Sequence, residues 1–521
     1  MKGFFMKKEK KNFFADLTSA KATFAAFKRG KRELEERIMR ERRIFTDIYS
    51  SDGSSAWIFN SIVNKHADII DAIPACICLP REKRDEAVAD TLTKIIPVVC
   101  ERTGFEQTYS ENAWEKLKHG TAVYGVFWNT ALEDGLGDVD VRAIRLSDIF
   151  WEPGISDIQD SSAVFIISSA EPAELEARYP AFKYEDNREA DGAVASMLGF
   201  SSLDGRCTVV DHYYKRYLPG GRVLLHLCKF CGDTVLYSSE LDESCPEGWY
   251  AHGLYPVVFD RLYPCDEGIC GFGIIAVASG AQAYINRIDD NILQYSDWAS
   301  RVRFWAKRSL GVNEKEFLDL SRSIVEVEGD IDEEKLRQIE MAPLDQSVID
   351  SKKLKIDELK EITGARDVSQ GGISGGVTAA RAISILREAG AKTSRDGIEE
   401  SYRAYIKIVS LVIELIAQFY ESSRFFRIVG ECGSREYLGF SGRTLRMTEG
   451  YRPHIDIEIT AAKKSPSEAK ERNEFARELY ESGAFKPERI EETLTMLELM
   501  NFDGIGKLKA ALNKMRVGDG R

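Results

Sequence analysis

Two glycine patterns carry residue types, and nearly the spacing, that cradle phosphate. Gly371-x4-Gly376-Val377-Thr378 falls one residue short of a P-loop, where main-chain N–H groups hold the inner phosphates and a lysine ammonium reaches the outer ones. Val377 stands where that lysine is needed. The stretch before it, with Lys352, Lys353, Lys355, Asp357, Glu358 and Lys360, is polar and helical in pattern, where a P-loop needs a buried strand. The P-loop is excluded. Gly271-x-Gly273-x-x-Ala276 has the form of a dinucleotide fingerprint, which must follow a strand directly. Leu262–Gly268 separates it from the strand-like Tyr255–Phe259. The acidic residues about 20 positions on, Asp289 and Asp290, fall inside the following helix. A glycine-flanked helix start accounts for the pattern better. A nucleotide-binding enzyme using the Gly271 or Gly371 loop stays as the alternative class of function.

The chain has ten cysteines. Cys228-Lys-Phe-Cys231, followed by Cys245 and flanked by His226 and His252, has part of a zinc-site spacing. A structural zinc takes four ligands, usually as two close pairs. The second pair, Cys265-x4-Cys270, is loosely spaced, so the set reads as reduced core or loop cysteines and no metal site is assigned. Cys76-x-Cys78 lies in an apolar run and reads as packing. The six histidines (His66, His119, His212, His226, His252, His454) are scattered and offer no nucleophile–base pair. The expectation is no catalysis and no cofactor.

The elements that would position any site divide the chain. Residues 1–30 are basic with scattered phenylalanines and read as a loosely ordered arm. Arg32–Tyr49, Ala56–Ile73, Arg84–Val99 and Phe105–His119 have helical periodicity. At Gly120 the period changes. Thr121–Trp128 has the composition of a buried strand, Asp138–Arg142 alternates with period two, and Cys207–Tyr217 and Arg222–Phe230 flank the turn Pro219-Gly220-Gly221. Residues 30–270 therefore read as an α+β domain with antiparallel sheet. Ile274, Ala278, Ala281, Ile285, Ile288, Ile292 and Tyr295 recur in steps of four and three, one apolar face on a long helix Ile274–Arg301. At about 1.5 Å per residue it spans roughly 42 Å. Val302–Leu344 breaks that run with a short helix near Asn313, a strand-like Ser323–Val327 and an acidic turn. Helix resumes over Ser347–Thr363. Then comes Ser369–Gly376, with four glycines in six residues, a segment costly to order. A third helix, from Thr378 to Tyr420, carries Ile398, Tyr402, Tyr405, Val409, Val412, Ile416 and Phe419 on one face, with Gly390 and Gly397 as kink points. Phe425–Val429 and Ile455–Ile459 read as strands returning to the first domain's sheet. Ser465-Pro-Ser-Glu468 is a capping box that opens a small terminal helical domain, with helices near Ser467–Glu481, Pro487–Met500 and Ile505–Met515.

Among 521 residues, 71 are Lys or Arg and 84 are Asp or Glu, for a net charge of −13. Tight DNA binding scales with the phosphates that basic side chains neutralise, so this balance argues against a DNA clamp. No apolar run reaches the roughly 18 residues that span a bilayer, and the basic N-terminus lacks the apolar core of a secretory signal. The expectation is synthesis inside the cell with no membrane partner.

In combination, Trp114–Gly120, Val123–Trp128, Val141–Phe150, Trp151-Glu-Pro153 and Ile155–Asp160 resemble the wing domain of tailed-bacteriophage portal proteins, and Gly376–Gly390 resembles their tunnel loop and kinked helix. The resemblance covers roughly residues 30–515. It implies the α+β portal fold: a basic arm (1–30), an α/β wing (31–270), a first stem helix (271–301), a small α/β clip (302–345), a second stem helix (346–364), a tunnel loop (365–377), a long kinked helix (378–424), wing return strands (425–464) and a helical crown (465–521). No extended coiled-coil tail follows the crown, unlike long-barrel portals. The family implies a dodecameric homo-oligomer at one capsid vertex of the virion, assembled in the host cytoplasm. It is a head–tail connector and conduit for double-stranded DNA during genome packaging and ejection; another structural connector ring stays beside the nucleotide-binding enzyme as an alternative reading. Its partners are the terminase large subunit, a head–tail adaptor, and capsid and scaffolding proteins. On this resemblance Arg366, Gln370, Gly371, Gly372, Ile373 and Ser374 form a DNA-facing loop. Lys352, Lys353, Lys355 and Lys360 line the channel, or else are solvated helix surface or inter-subunit ion pairs. Asp330, Asp332, Glu333 and Glu334 face the terminase or adaptor, or else form a solvated turn.

Overall fold

Apolar periodicity and turn chemistry fix most of the elements in a computed structural model, which describes residues 17–50, 55–198, 205–266, 268–300, 304–306, 315, 336–338, 343–364, 380–429, 435–446, 451–461 and a few positions between 477 and 494. The first helix, α1, runs over residues 17–30 and is followed by α2 (Arg32–Ser50), α3 (Trp57–Asp71), the strand β1 (Pro74–Pro80), α4 (Glu86–Arg102) and α5 (Phe105–His119). The expectation of a loosely ordered arm is corrected for residues 17–30. Leu17, Ala20, Phe24 and Phe27 recur at steps of three and four and are buried. Phe24 meets Phe150 edge-on at 5.1 Å between ring centroids. Scattered phenylalanines in a basic segment are here the apolar stripe of an amphipathic helix.

Two antiparallel sheets form the body of the first compact unit. The strands β2 (Thr121–Asn129), β3 (Asp138–Ile144), β4 (Ile149–Trp151), β5 (Ala163–Ala170), β6 (Cys207–Tyr217), β7 (Val223–Cys231), β8 (Thr234–Ser238) and β9 (Val257–Arg261) order as β3-β2-β9 and β4-β5-β6-β7-β8. Two helices, α6 (Pro172–Arg178) and α7 (Tyr184–Leu198), lie between β5 and β6 in the chain. The central strand β2 is buried at seven consecutive positions, so both its faces are covered and its apolar run is continuous. On the five-stranded sheet the two faces carry separate cores. Phe150, Phe165, Val210, Cys228 and Phe230 meet α1 on one face. Cys207, Val209 and Cys231 meet Leu175 and Phe182 on the other. The hairpin read at Pro219-Gly220-Gly221 is present, with Tyr217 opposite Val223.

The long helix α8 spans Ile274–Ser300. The short strands β10 (Phe304–Ala306) and β11 (Leu336–Gln338) pair antiparallel and join the two ends of the segment between them. Then α9 (Gln346–Thr363) begins at Asp345, whose carboxylate accepts from the Ser347 main-chain N–H at 3.0 Å, and ends at Gly364 in the left-handed region, a C-terminal signal that glycine serves without strain. The 40-residue α10 (Ala380–Phe419) runs unbroken through Gly390 and Gly397. Its Tyr405, Val409, Val412 and Ile416 are buried as the periodicity requires. The return strands are corrected. Among the described residues, β12 (Arg424–Val429) and β13 (Arg435–Phe440) pair with each other and β14 (Ile455–Ala461) pairs with β1, so none extends either main sheet. Alternation specifies a half-buried strand but not its partner. Residues 460–521 with 71–75 make a second compact unit. The three terminal helices fall almost wholly outside the described residues.

Candidate nucleic-acid interface

Two antiparallel rods, α8 and α9, carry the basic residues singled out by sequence. Tyr284 and Asp289 of α8 meet Lys355 and Lys352 of α9, in opposite chain order. The apolar stripe of α8 is buried at Ile274, Ala278, Ile285 and Ile288 and fades beyond, where Ile292 and Tyr295 are half-buried. Leu293 is 55% exposed, Trp298 54% and Leu354 66%. Near the rods' other end, the Gln282 side chain takes the main-chain N–H of Ile58 at 3.3 Å and gives to Ser55 O at 2.6 Å, while Ser61 and Thr363 share a hydroxyl hydrogen bond of 3.1 Å. The pair is therefore anchored to α3 through Gln282 and Thr363, while Leu293 and Trp298 towards the end of α8 and Leu354 on α9 stay open.

The four lysines are not equivalent. Lys352 pairs with Asp289, which also accepts from the Ser55 hydroxyl at 2.8 Å. Lys355 pairs with Glu358 at 2.6 Å and lies 5.5 Å from the Tyr284 ring. Lys360 lies 5.8 Å over Trp57. Lys353 has Asp350 at 3.6 Å, but both side chains are more than 60% exposed, and such a pair holds its ends weakly. Three of the four thus have substantial partners within one chain, and Lys353 is the most available of them. Arg366, Gln370, Gly371, Gly372, Ile373 and Ser374 lie outside the described residues, as do Asp330, Asp332, Glu333 and Glu334.

The glycines of the dinucleotide-like pattern are used for packing. A Cβ on Gly271 would sit 2.1 Å from Tyr263 O, and one on Gly273 2.4 Å from Lys118 O. The incomplete zinc spacing is not assembled either. Cys228 and Cys231 belong to cores on opposite faces of the sheet, and the Cys245 sulfur lies 3.7 Å from the Tyr237 hydroxyl.

Sequence reading missed the polar centre that seats the long helix. Lys116 Nζ donates to Asp260 Oδ1 at 2.5 Å, to Gly397 O at 2.7 Å and to Ser401 Oγ at 2.7 Å, and Ser401 donates to Asp260 Oδ2 at 2.8 Å. Burial pushes the Asp260 carboxyl above its usual range, against the pull of the Lys116 charge. The only signal was the helical spacing that sets Lys116 in line with Tyr109, Asn112 and Ala113 of α5, and nothing local distinguishes it from a surface lysine. A cavity of about 400 Å³ nearby is lined by Asp157, Gln159, Arg261, Glu400, Arg403 and Lys407. Its charges are paired across it, Lys407 to Asp157 at 3.2 Å and Arg261 to Glu400 at 3.8 Å. Among the described residues no helix is long and apolar enough to cross a membrane.

A family model described as phage P22-like portal protein matches residues 66–225 and 224–519. No curated protein matches the chain. A chain of a solved structure, the virion of a native gene transfer agent (GTA) particle, is similar over 85% of this chain and 89% of that one, at 12% identity and a TM-score of 0.41.

Proposed function

The chain belongs to the phage P22-like portal protein family, and from that premise we propose that a dodecameric ring of its copies passes double-stranded DNA inward at packaging and outward at ejection. The family is structural and its place is the virion capsid. In this reading residues 31–270 are the wing, α8 and α9 the stem, residues 302–345 the clip, 365–377 the tunnel loop and 465–521 the crown. The terminase large subunit and the head–tail adaptor dock on the clip, where Asp330, Asp332, Glu333 and Glu334 are the candidate contacts.

The observation that carries the proposal is the half-covered pair of rods. Leu293, Trp298 and Leu354 are more than half exposed in one chain, and apolar surface of that kind on a long helix calls for a neighbour. Repetition of the same rods around an axis supplies one and leaves a central opening. A net charge of −13 per chain suits a passage, because a conduit must not hold phosphate tightly. Light scattering and end-on electron micrographs of the purified chain test the proposal. Rings with a central hole are the expected result; monomers with no hole at any concentration would overturn it.

A further inference from the structure

On the face of the five-stranded sheet away from α1, three side chains from three elements converge. Asp191 comes from α7, Cys207 from the start of β6 and Cys231 from the end of β7, and all three are buried, at 6%, 1% and 0% exposure. One ligand atom of each lies within 4.8 Å of the other two. We propose that Asp191, Cys207 and Cys231 form a binding site for a thiophilic divalent cation, zinc by preference.

The geometry is close to what such an ion needs. With Zn–S of about 2.3 Å and Zn–O of about 2.1 Å, the edges of a tetrahedral site are about 3.6 Å from sulfur to oxygen and about 3.8 Å from sulfur to sulfur. The Cys231 sulfur is 3.8 Å from Asp191 Oδ1, a long contact for a hydrogen bond and nearly the coordinating edge. That oxygen is held in place by the Thr208 main-chain N–H at 2.9 Å. An outer hydrogen bond that orients a ligating carboxylate is the arrangement metal sites use. A water or another outside ligand would complete the four-coordinate shell that zinc prefers.

Alternatives fit less well. Val209 stands directly opposite Cys231, so Cys207 lies two residues along the neighbouring strand. Diagonal neighbours of that kind are about 7–8 Å apart, beyond the roughly 4.4–6.8 Å between Cα atoms in a disulfide. As simple core thiols the cysteines would leave a carboxyl only 6% exposed facing two sulfhydryls, which are weak hydrogen-bond donors. A cation removes that mismatch. It draws both thiols into thiolates, two protons pass to solvent, and two sulfurs and a carboxylate share the charge of one M²⁺. Soft sulfur donors select zinc over calcium or magnesium. The bound ion would staple α7 to the β6–β7 hairpin.

The test uses the full chain with Zn²⁺ and Co²⁺ as probes. Metal analysis of the purified protein should find one zinc per chain, and Co²⁺ added to metal-free protein should give a thiolate-to-cobalt charge-transfer band that saturates at one equivalent. Cys207→Ser or Cys231→Ser should abolish the band, and Cys245→Ser should leave it intact. Asp191→Asn keeps an oxygen for the Thr208 N–H, so its fold is retained, and it should weaken Co²⁺ binding by about tenfold or more. Absence of stoichiometric zinc together with absence of a saturable cobalt band in the wild-type chain overturns the proposal. So does a band that survives both cysteine substitutions, or an unchanged affinity in Asp191→Asn. None of these readings depends on whether the chain forms rings.

Discussion

The ammonium of Lys116 meets the carboxylate of Asp260 at 2.5 Å, and neither side chain is more than 2% exposed. The pair joins α5 to β9, and through Gly397 O and Ser401 it reaches the middle of α10. Charges taken fully out of water are tolerated only when every donor and acceptor is used, and removing one partner leaves the other uncompensated. Lys116→Met should therefore cost about 3–5 kcal/mol of stability. Adding Asp260→Asn to it should cost much less than the sum of the two single changes, because the second change discharges the stranded carboxylate. Chemical denaturation of all three variants gives the coupling; additive losses would mean that the two residues act independently.

That centre also marks the limit of what the chain discloses on its own. Periodicity is a local property, and it gave the helices α2 to α5, the central strand Thr121–Trp128, the β6–β7 hairpin and the buried positions Tyr405, Val409, Val412 and Ile416. Pairing between distant segments is not local. Ile455–Ile459 alternates as a strand must, yet nothing in its residues says that it joins β1 across more than 370 positions, as the Arg81 N–H to His454 O bond does. Lys116 fails for the same reason, since its partners lie 144 and more positions away. The trio Asp191, Cys207 and Cys231 was hidden because the eye pairs Cys228 with Cys231, whereas a strand turns residues three apart to opposite faces.

Acid should act on the five-stranded sheet through His212 of β6. Its ring is stacked on Phe165 at 4.5 Å and on Tyr214 at 4.9 Å. Burial lowers its pKa from 6.5 to about 3. Above pH 6.5 the ring is neutral in both folded and unfolded chains and contributes no pH dependence. As pH falls from 6.5 towards 3 only the unfolded chain takes up the proton, so stability drops by up to about 1.4 kcal/mol per pH unit. His212→Phe should flatten the stability profile between pH 6 and 4 relative to wild type. Parallel profiles for the two proteins across that window would show that other groups govern the acid response.

Lys31 should give a slope of the same sign on the alkaline side. It is buried, donates to Ile149 O at 2.6 Å and also to Leu146 O, and burial brings its pKa from 10.5 down to about 8. Below pH 8 it is charged in both states and the cost of burying the charge is fully present. Between 8 and 10.5 the folded chain gives up the proton first, so stability gains as pH rises. Lys31→Met should remove that gain, leaving a lower slope in denaturation midpoints from pH 8 to 10, whatever its effect at neutral pH.

If the rods line a shared axis, their uncovered side chains decide assembly. Trp298→Ser with Leu293→Ser should leave the far-ultraviolet circular dichroism of the chain intact, since both residues are more than half exposed, and should shift light scattering from rings towards single chains. Deleting Gln370–Ser374 should have the opposite pattern, with rings formed and DNA packaging or retention impaired. Loss of rings on that deletion would reassign the segment to assembly.

The stem lysines then divide by how firmly each is held. Lys352 is tied to Asp289, a carboxylate only 15% exposed that also holds Ser55, so Lys352→Ala should lower stability modestly, by about 1 kcal/mol or less after solvent screening. Lys353 and Asp350 are 68% and 61% exposed, and that pair competes poorly with a passing phosphate. Lys353→Ala should therefore leave the melting temperature unchanged while weakening DNA retention and reducing its dependence on salt, because each lysine that meets a phosphate adds to the salt slope. In the proposed twelvefold ring even a small contribution is multiplied, which makes the salt titration of retained DNA in assembled particles the sensitive measurement. Equal effects of the two substitutions on both stability and salt dependence would remove the distinction between a structural and a channel-facing lysine.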